Sequence, residues 1–227
     1  MGSTFDSVLK NVGLVKTNSS IYETAFIHRS FLNESKEARE SNERLEFLGD
    51  SVLSLIVSSF LFKTRARDDE GSLTSLRAYM VKTDSLGLAA KKLDLGNFLK
   101  LSKGEEVSGG RENTQILANT YEAVLGAIFL DLGMEAADKF VRATLLTLFT
   151  QEIKKGAPRD PKSELQEVIQ SKFQVSPKYK VLASLGPDHA KRFTVGVFIK
   201  ERQIGQGHGS NKQQAEEEAA KIALKRL

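Results

Sequence analysis

The stretch NERLEFLGDSVLSLIVSSFLF, residues 42–62, begins with acidic residues and continues into an almost wholly apolar run. Its three carboxylates, Glu43, Glu46 and Asp50, are spaced i, i+3 and i+7, so a helix would carry them on one face. Like charges at this spacing repel by roughly a few tenths of a kcal/mol per pair. A divalent cation such as Mg²⁺, which takes oxygen ligands, would offset that repulsion. The spacing alone is equally compatible with a solvated acidic face.

A second pair of oxygen-bearing side chains lies in ILANTYEAVLGAIFLD, residues 116–131. Asn119 and Glu122 are also spaced i, i+3 and also precede an apolar helical run. If this helix packed against the first one, the two pairs would form a pocket of four oxygen ligands. Two unrelated surface turns remain the alternative at this point.

The composition limits the class of protein. The chain has 227 residues, is 40% hydrophobic and contains no cysteine, which excludes disulfides and thiolate metal sites and fits a reducing cytosol. The N-terminal segment has no apolar core, so no signal peptide is predicted. The longest apolar stretch, residues 52–62, is interrupted by serines and is too short to span a bilayer, so no membrane association is expected.

Charge is distributed unevenly along the chain. Residues 1–158 carry 20 Lys and Arg against 21 Asp and Glu, whereas residues 159–227 carry 13 against 8. A basic C-terminal third suggests a polyanionic partner. Ordinary surface charge explains the same numbers equally well.

The segment KKGAPRDPK, residues 154–162, holds two of the four prolines and is typical of a linker. The predicted organisation is a first domain over residues 1–153, a linker over 154–159 and a second domain over 160–227. The first domain is predicted to be all-α, because apolar residues recur at helical spacing over 20–32, 43–63, 73–93, 115–131 and 135–153.

The second domain shows a different pattern. A helix is predicted from Pro161, and three segments with period-2 alternation follow at 178–186, 191–200 and 202–209. A final helix begins after Ser210 or Asn211 as N-cap. The predicted order is α-β-β-β-α, a small α+β domain.

Four blocks of the chain together resemble bacterial ribonuclease III. They are HRS at 28–30, NERLEFLGDSVL at 42–53, EGSLTSLRA at 70–78 and ILANTYEAVLGAIFLD at 116–131, in that family's order and at its approximate spacing. The tail resembles the double-stranded-RNA-binding domain that follows the nuclease domain in that family. The resemblance covers nearly the whole chain, and NERLEFLGDS is its most specific block.

The resemblance implies a cytoplasmic homodimer that hydrolyses double-stranded RNA with Mg²⁺, or Mn²⁺ in its place, and without a nucleotide cofactor. The products would carry 5′-phosphate and 3′-hydroxyl ends, and the substrates would include ribosomal and messenger RNA precursors. The catalytic positions fall on Asp50 and Glu122, with metal ligation shared among Glu46, Asp50, Asn119 and Glu122. Glu43 and Glu70 are accessory acids, the latter contributed from a partner subunit.

Asn119 departs from the pattern, because the family commonly has aspartate there. Its amide oxygen can ligate a metal, but one negative charge is lost, so a higher Mg²⁺ requirement is expected. The alternative is a catalytically impaired homodimer that binds double-stranded RNA without cleaving it.

The remaining expectations concern surfaces. The residues predicted to contact RNA are Gln166, Glu167, His189, Asn211, Lys212 and Gln213. The apolar residues of the signature helix predicted to face a partner or the core are Phe47, Leu48, Val52 and Leu55. His28, a lone histidine in a predicted amphipathic helix, is expected to be structural.

Overall fold

The computed structural model describes residues 5–35, 38, 40–156, 161–186 and 191–227. The chain forms two compact units, Met1–Ala157 (unit 1) and Pro158–Leu227 (unit 2).

Unit 1 is helical, as the sequence predicts. Its helices are α1 (Phe5–Asn11), α2 (Ser19–Ala25), α3 (Glu43–Thr64), α4 (Glu70–Val81), α5 (Thr83–Lys92), α6 (Lys103–Val107), α7 (Thr114–Thr144) and α8 (Thr150–Lys155). Short 3₁₀ turns lie at Arg29–Asn33, Leu95–Phe98, Gly110–Glu112 and Leu146–Phe149. Within the described residues the β-structure of this unit is one isolated bridge between Ile27 and Lys100.

The predicted helical segment 73–93 is shorter in the structure than its apolar spacing predicts. The segment 73–93 is divided between α4 and α5, because Lys82 is extended, with φ −67° and ψ 156°. The hydroxyl of Ser85 then donates to the carbonyl of Tyr79 at 2.8 Å, which satisfies a backbone group at the end of α4. Gly133 interrupts α7 at φ 82°, between the predicted segments 115–131 and 135–153, and glycine adopts this conformation readily.

The central contact of unit 1 is between α3 and α7. A Cβ atom at Gly49 would clash with the carbonyl oxygen of Glu122, and one at Gly126 would clash with the carbonyl oxygen of Leu45. The two backbones therefore approach more closely than larger residues would allow. Around this contact the core is filled by buried side chains, among them Leu53, Val57, Leu61, Leu117, Tyr121, Val124 and Ile128.

Helices α3 and α7 are each long and apolar enough to cross a membrane by length and composition. Both are core helices of unit 1, and their apolar residues include many of its buried side chains. Burial within the unit accounts for much of the apolar composition of α7 and for part of that of α3.

Unit 2 has the predicted α-β-β-β-α order: α9 (Pro161–Phe173), β1 (Lys178–Leu185), β2 (Arg192–Ile199), β3 (Arg202–Gly209) and α10 (Lys212–Leu224). The antiparallel sheet has the strand order β1-β2-β3. Its small core joins Leu165 and Ile169 of α9 to Val197 and the alanines of α10.

Pairing between the strands fixes which connections lie together. Phe193, near the start of β2, pairs with Gly209 at the end of β3. The end of β1, the start of β2 and the N-terminus of α10 are therefore at one end of the sheet. The β2–β3 turn, with Lys200 at φ 52°, is at the opposite end.

Candidate active site and RNA-binding surface

Four side chains predicted to ligate a metal are brought together where α3 meets α7. Glu46 precedes Gly49 by three residues and Asp50 follows it directly. Gly49 is packed on the backbone of Glu122. The side-chain amide of Asn119, one turn earlier on α7, donates a hydrogen bond to the carboxylate of Glu46. We refer to Glu46, Asp50, Asn119 and Glu122 as the acidic cluster.

The acidic cluster carries negative charge that neighbouring side chains do not neutralise. Partial burial, reinforced by the charges of Asp50 and Glu46, raises the pKa of Glu122 to about 8. Burial also raises the pKa of Glu46, as do the charges of Glu43 and Asp50, although the hydrogen bond from Asn119 acts in the opposite direction. Among the described residues, no ion pair involves Glu46, Asp50 or Glu122.

The donor set of the acidic cluster fits a hard divalent cation. Three carboxylates and one amide supply oxygen ligands of the kind that Mg²⁺ prefers. In the described part of the chain, however, no three His, Asp or Glu side chains are gathered tightly enough to hold a metal ion. The acids are thus close enough to raise the pKa values of Glu46 and Glu122 but do not form a closed ligand shell.

Three residues that support this site were missed from the sequence: Gly49, Gly126 and Gln115. The glycines permit the close approach of α3 and α7, a property that appears only once the two helices are known to cross there. Gln115 donates from Nε2 to Oδ1 of Asn119 at 2.7 Å. Its i, i+4 spacing from Asn119 was a usable signal.

The predicted RNA contacts in unit 2 lie at exposed positions where the structure describes them. Gln166 and Glu167 are exposed on α9, and Lys212 and Gln213 are exposed in the first turn of α10. Asn211 caps that helix, since its Oδ1 accepts from the backbone N–H of Gln214 at 2.9 Å. His189 lies outside the described residues.

Comparison with known proteins agrees with this geometry. The Ribonuclease-III-like family model matches residues 18–148, and the model of the double-stranded RNA binding motif matches residues 161–227. The chain belongs to the ribonuclease III family. Its architecture, a nuclease domain followed by a duplex-binding domain, makes it an endonuclease for double-stranded RNA.

Curated relatives match over nearly their whole length. Ribonuclease 3 of Borreliella afzelii is 42% identical over 219 residues, covering 96% of this chain and 89% of that protein. Ribonuclease 3 of Treponema denticola is 43% identical over 218 residues, with the same coverage. The solved nuclease domain of ribonuclease III from Campylobacter jejuni is similar with a TM-score of 0.60 and 36% identity, covering 65% of this chain and 99% of that one. In that nuclease domain, a region involved in dimer formation is structurally flexible.

The two predicted accessory acids lie in different places. Glu43 is at the start of α3, where it accepts from Ser41 Oγ at 2.8 Å and pairs with Arg29 at 3.5 Å. Glu70 lines a groove of about 640 Å³ together with Ser58 and Phe62. That groove is roughly three to four helical turns along α3 from Glu46, so Glu70 is not brought to the acidic cluster within one chain.

His28 has a structural role in this ribonuclease III, as expected. It precedes the 3₁₀ turn at Arg29–Asn33, and its Nδ1 accepts from the backbone N–H of Ser30. The segment is not the continuous helix that the sequence pattern suggests. Burial, more than any neighbouring charge, lowers the pKa of His28 and so favours the neutral ring with Nδ1 as an acceptor.

The apolar residues of α3 divide into a buried set and an exposed stripe. Val52 is buried and Leu48 packs against the core. Phe47, Leu55 and Phe62 remain 79%, 55% and 73% exposed. On a helix these three fall within about 80° of one another, beside the face that carries Glu46 and Asp50.

Proposed function

We propose that this ribonuclease III cleaves double-stranded RNA by magnesium-dependent phosphodiester hydrolysis, leaving 5′-phosphate and 3′-hydroxyl ends. One observation carries the proposal: Glu46, Asp50 and Glu122 converge with Asn119 at the α3–α7 contact, and no cationic side chain among the described residues forms an ion pair with these acids. Such a cluster is costly unless a cation is bound, and oxygen ligands favour Mg²⁺, with Mn²⁺ as a substitute.

The four side chains of the acidic cluster would hold the metal. When bound, divalent ions lower the pKa of a coordinated water and stabilise charge on the attacking and leaving oxygens of a phosphodiester. Glu122 and Asp50 would contribute to this chemistry in different ways. Glu122 retains a proton near neutral pH and must release it on ligation, whereas exposed Asp50 lies where substrate can reach it. We assign the catalytic role to Asp50 and Glu122.

Unit 2 supplies affinity for the duplex. Its family model describes a double-stranded RNA binding motif, and domains of this type read shape across roughly 16 bp rather than sequence. The exposed side chains of α9 contact minor-groove hydroxyls in this proposal. Lys212 and Gln213 face phosphates at the N-terminus of α10, where backbone N–H groups also favour an anion.

We also propose that the chain acts as a homodimer through the exposed stripe of α3. Phe47, Leu55 and Phe62 form an apolar surface that borders the acidic cluster. A two-fold contact at this stripe would bring two clusters to one duplex, one for each strand. Glu70, remote from the cluster in its own chain, is then the accessory acid that a partner contributes.

The cellular role follows from the family. The proposed substrates are precursors of ribosomal and messenger RNA, and the proposed location is the cytoplasm. No nucleotide cofactor and no membrane are needed for the hydrolysis.

The test is a gel assay on an end-labelled RNA hairpin, with titration of Mg²⁺ and Mn²⁺ and with Glu122→Gln alongside. Metal-dependent cleavage is expected, reduced about a thousandfold in the variant, because several kcal/mol of charge stabilisation is lost. Duplex binding should be unchanged. Binding without cleavage at every metal concentration would contradict the proposal and favour the impaired-nuclease alternative, for which Asn119→Asp is the rescue.

The dimer is tested by sedimentation of the full chain. Replacing Phe47 and Phe62 together by serine should convert a dimer into a monomer, because these two exposed rings are the largest side chains of the proposed interface. Phe173→Ser, at a half-exposed phenylalanine of α9, is the matched control and should remain dimeric. A wild-type monomer at micromolar concentration would overturn this part of the proposal.

A further inference from the structure

The amide of Asn119 has both of its ends engaged. Its Oδ1 accepts from Gln115 Nε2 at 2.7 Å, and its Nδ2 donates to the carboxylate of Glu46. The end that faces the acids therefore carries hydrogens, and the oxygen faces Gln115. An N–H group cannot ligate a cation, whereas an amide oxygen can.

This orientation has a consequence for metal binding. In it, the amide N–H partly compensates the charge of Glu46, a role that an aspartate at this position could not fill. For Asn119 to serve as a ligand its amide must exchange its two ends, after which Nδ2 faces position 115. A glutamine there can turn its own amide and accept that N–H through Oε1.

We propose that Gln115 is a positioning residue that controls which end of the Asn119 amide faces the acidic cluster, and so sets the affinity of the site for Mg²⁺. The inference rests on the proposed magnesium-dependent function. Gln115 acts only through Asn119; its side chain is exposed in the first turn of α7 and needs no contact with the ion or the substrate.

A purely structural role for Gln115 makes a different prediction. Side-chain pairs at i, i+4 stabilise a helix whichever way their amides are turned. Such a pair would affect the melting temperature slightly and leave the affinity for Mg²⁺ unchanged. The two roles are separated by a substitution that replaces the donor by an acceptor.

Gln115→Glu makes that replacement. Its carboxylate can only accept, so it favours the Asn119 orientation in which Nδ2 faces position 115 and Oδ1 faces the cluster. By calorimetry on the full chain, it should lower the dissociation constant for Mg²⁺ about tenfold, the equivalent of one charge-assisted hydrogen bond.

The added charge of Gln115→Glu is controlled by repeating it in an Asn119→Asp chain. Aspartate has no N–H to orient, so only the general effect of charge remains there, and the tightening should be less than about threefold. Equal tightening in the two backgrounds would overturn the inference.

Nuclear magnetic resonance of the ¹⁵N-labelled wild-type chain gives a second measurement that needs no variant to function. The NH₂ signals of Asn119 and Gln115, assigned by their loss in Asn119→Asp and Gln115→Met, should shift together as Mg²⁺ is added. A shift of the Asn119 signals without the Gln115 signals at saturating Mg²⁺ would contradict the coupled rotation.

The outcomes also separate this inference from the function on which it rests. The wild-type chain could bind Mg²⁺ and cleave RNA while Gln115→Glu tightens Mg²⁺ binding equally in the wild-type and Asn119→Asp chains. In that case only the role of Gln115 fails. If the wild-type chain binds no Mg²⁺, the proposed function fails and the inference fails with it.

Discussion

The α3–α7 contact of unit 1 and the β3–α10 contact of unit 2 both depend on glycines packed against a helix backbone, but the two contacts have different consequences. At Gly49 the close approach brings acids from two helices into one partly buried cluster. At Gly205 and Gly207 it seats the alanine face of α10 on the sheet. The polar residues of α9 and α10 that we assign to RNA are left exposed and apart.

This difference predicts how each region responds to change. In the acidic cluster, neighbouring acids contribute to the raised pKa values of Glu46 and Glu122, so a small displacement should affect both groups. On the RNA-binding surface, contacts act separately and losses should be graded. The following experiments test that contrast.

The largest effect is expected from Gly49→Ala. The new methyl group would clash with the carbonyl oxygen of Glu122 and separate α3 from α7. Overpacking of this kind costs about 1–3 kcal/mol, measured by urea unfolding, and cleavage should fall below detection. Gly104→Ala is the matched control: nothing lies within 4 Å of a Cβ there, so stability and cleavage should be preserved. Normal activity in Gly49→Ala would show that the acidic cluster does not depend on the close approach of α3 and α7.

The raised pKa of Glu122, caused first by burial and then by the charges of Asp50 and Glu46, predicts a pH dependence. Glu122 has a pKa of about 8 in the folded chain against an ordinary value of 4.5, so folding favours its protonated form. The stabilising contribution of Glu122 is complete below the unfolded pKa and is lost as the pH rises towards 8.

Glu122→Gln removes this dependence. In EDTA, the variant should gain about 1–3 kcal/mol in unfolding free energy relative to wild type between pH 5 and pH 8, a value discounted because the carboxyl is only partly buried. Urea unfolding at both pH values measures it. Glu135→Gln, at an exposed acid on the same helix, should show no such gain. A constant difference across this pH range would argue against a raised pKa of Glu122 in the folded chain.

Asn119→Asp tests the acidic cluster by adding a negative charge. We expect the Mg²⁺ concentration for half-maximal cleavage to fall by about threefold to tenfold, because a neutral ligand is replaced by a carboxylate. A metal titration of hairpin cleavage measures this change. Identical requirements in the two proteins would show that Asn119 does not ligate the ion.

The smallest effect is expected on the RNA-binding surface. Lys212→Asn should weaken duplex binding about threefold and reduce the salt slope by about one, as for loss of a single phosphate contact. Lys200→Asn, which removes the same charge at the opposite end of the sheet and tolerates the positive φ there, is the control. Equal losses would indicate that net charge, rather than position, governs binding.

Much of the fold was predictable because it depends on local periodicity. Alternation over 202–209 matches β3, and Asn211 caps α10 as one of two predicted residues. The helical face shared by Glu46 and Asp50 follows from 3.6 residues per turn. Apolar spacing overestimated the helix over 73–93, because it does not register an extended residue such as Lys82 between two helices that both bury apolar side chains.

The sequence by itself determined the order of the two units, the helical and strand periods, and the residue types able to hold a divalent ion. Only the tertiary structure decided that Gly49 lies on the backbone of Glu122, that Phe47 is exposed while Val52 is buried, and that the oxygen of Asn119 faces Gln115. The physical reason is that spacing along a helix sets which side chains share a face. The partner of that face, and the charges and burial that shift a pKa there, come from residues far away in the chain.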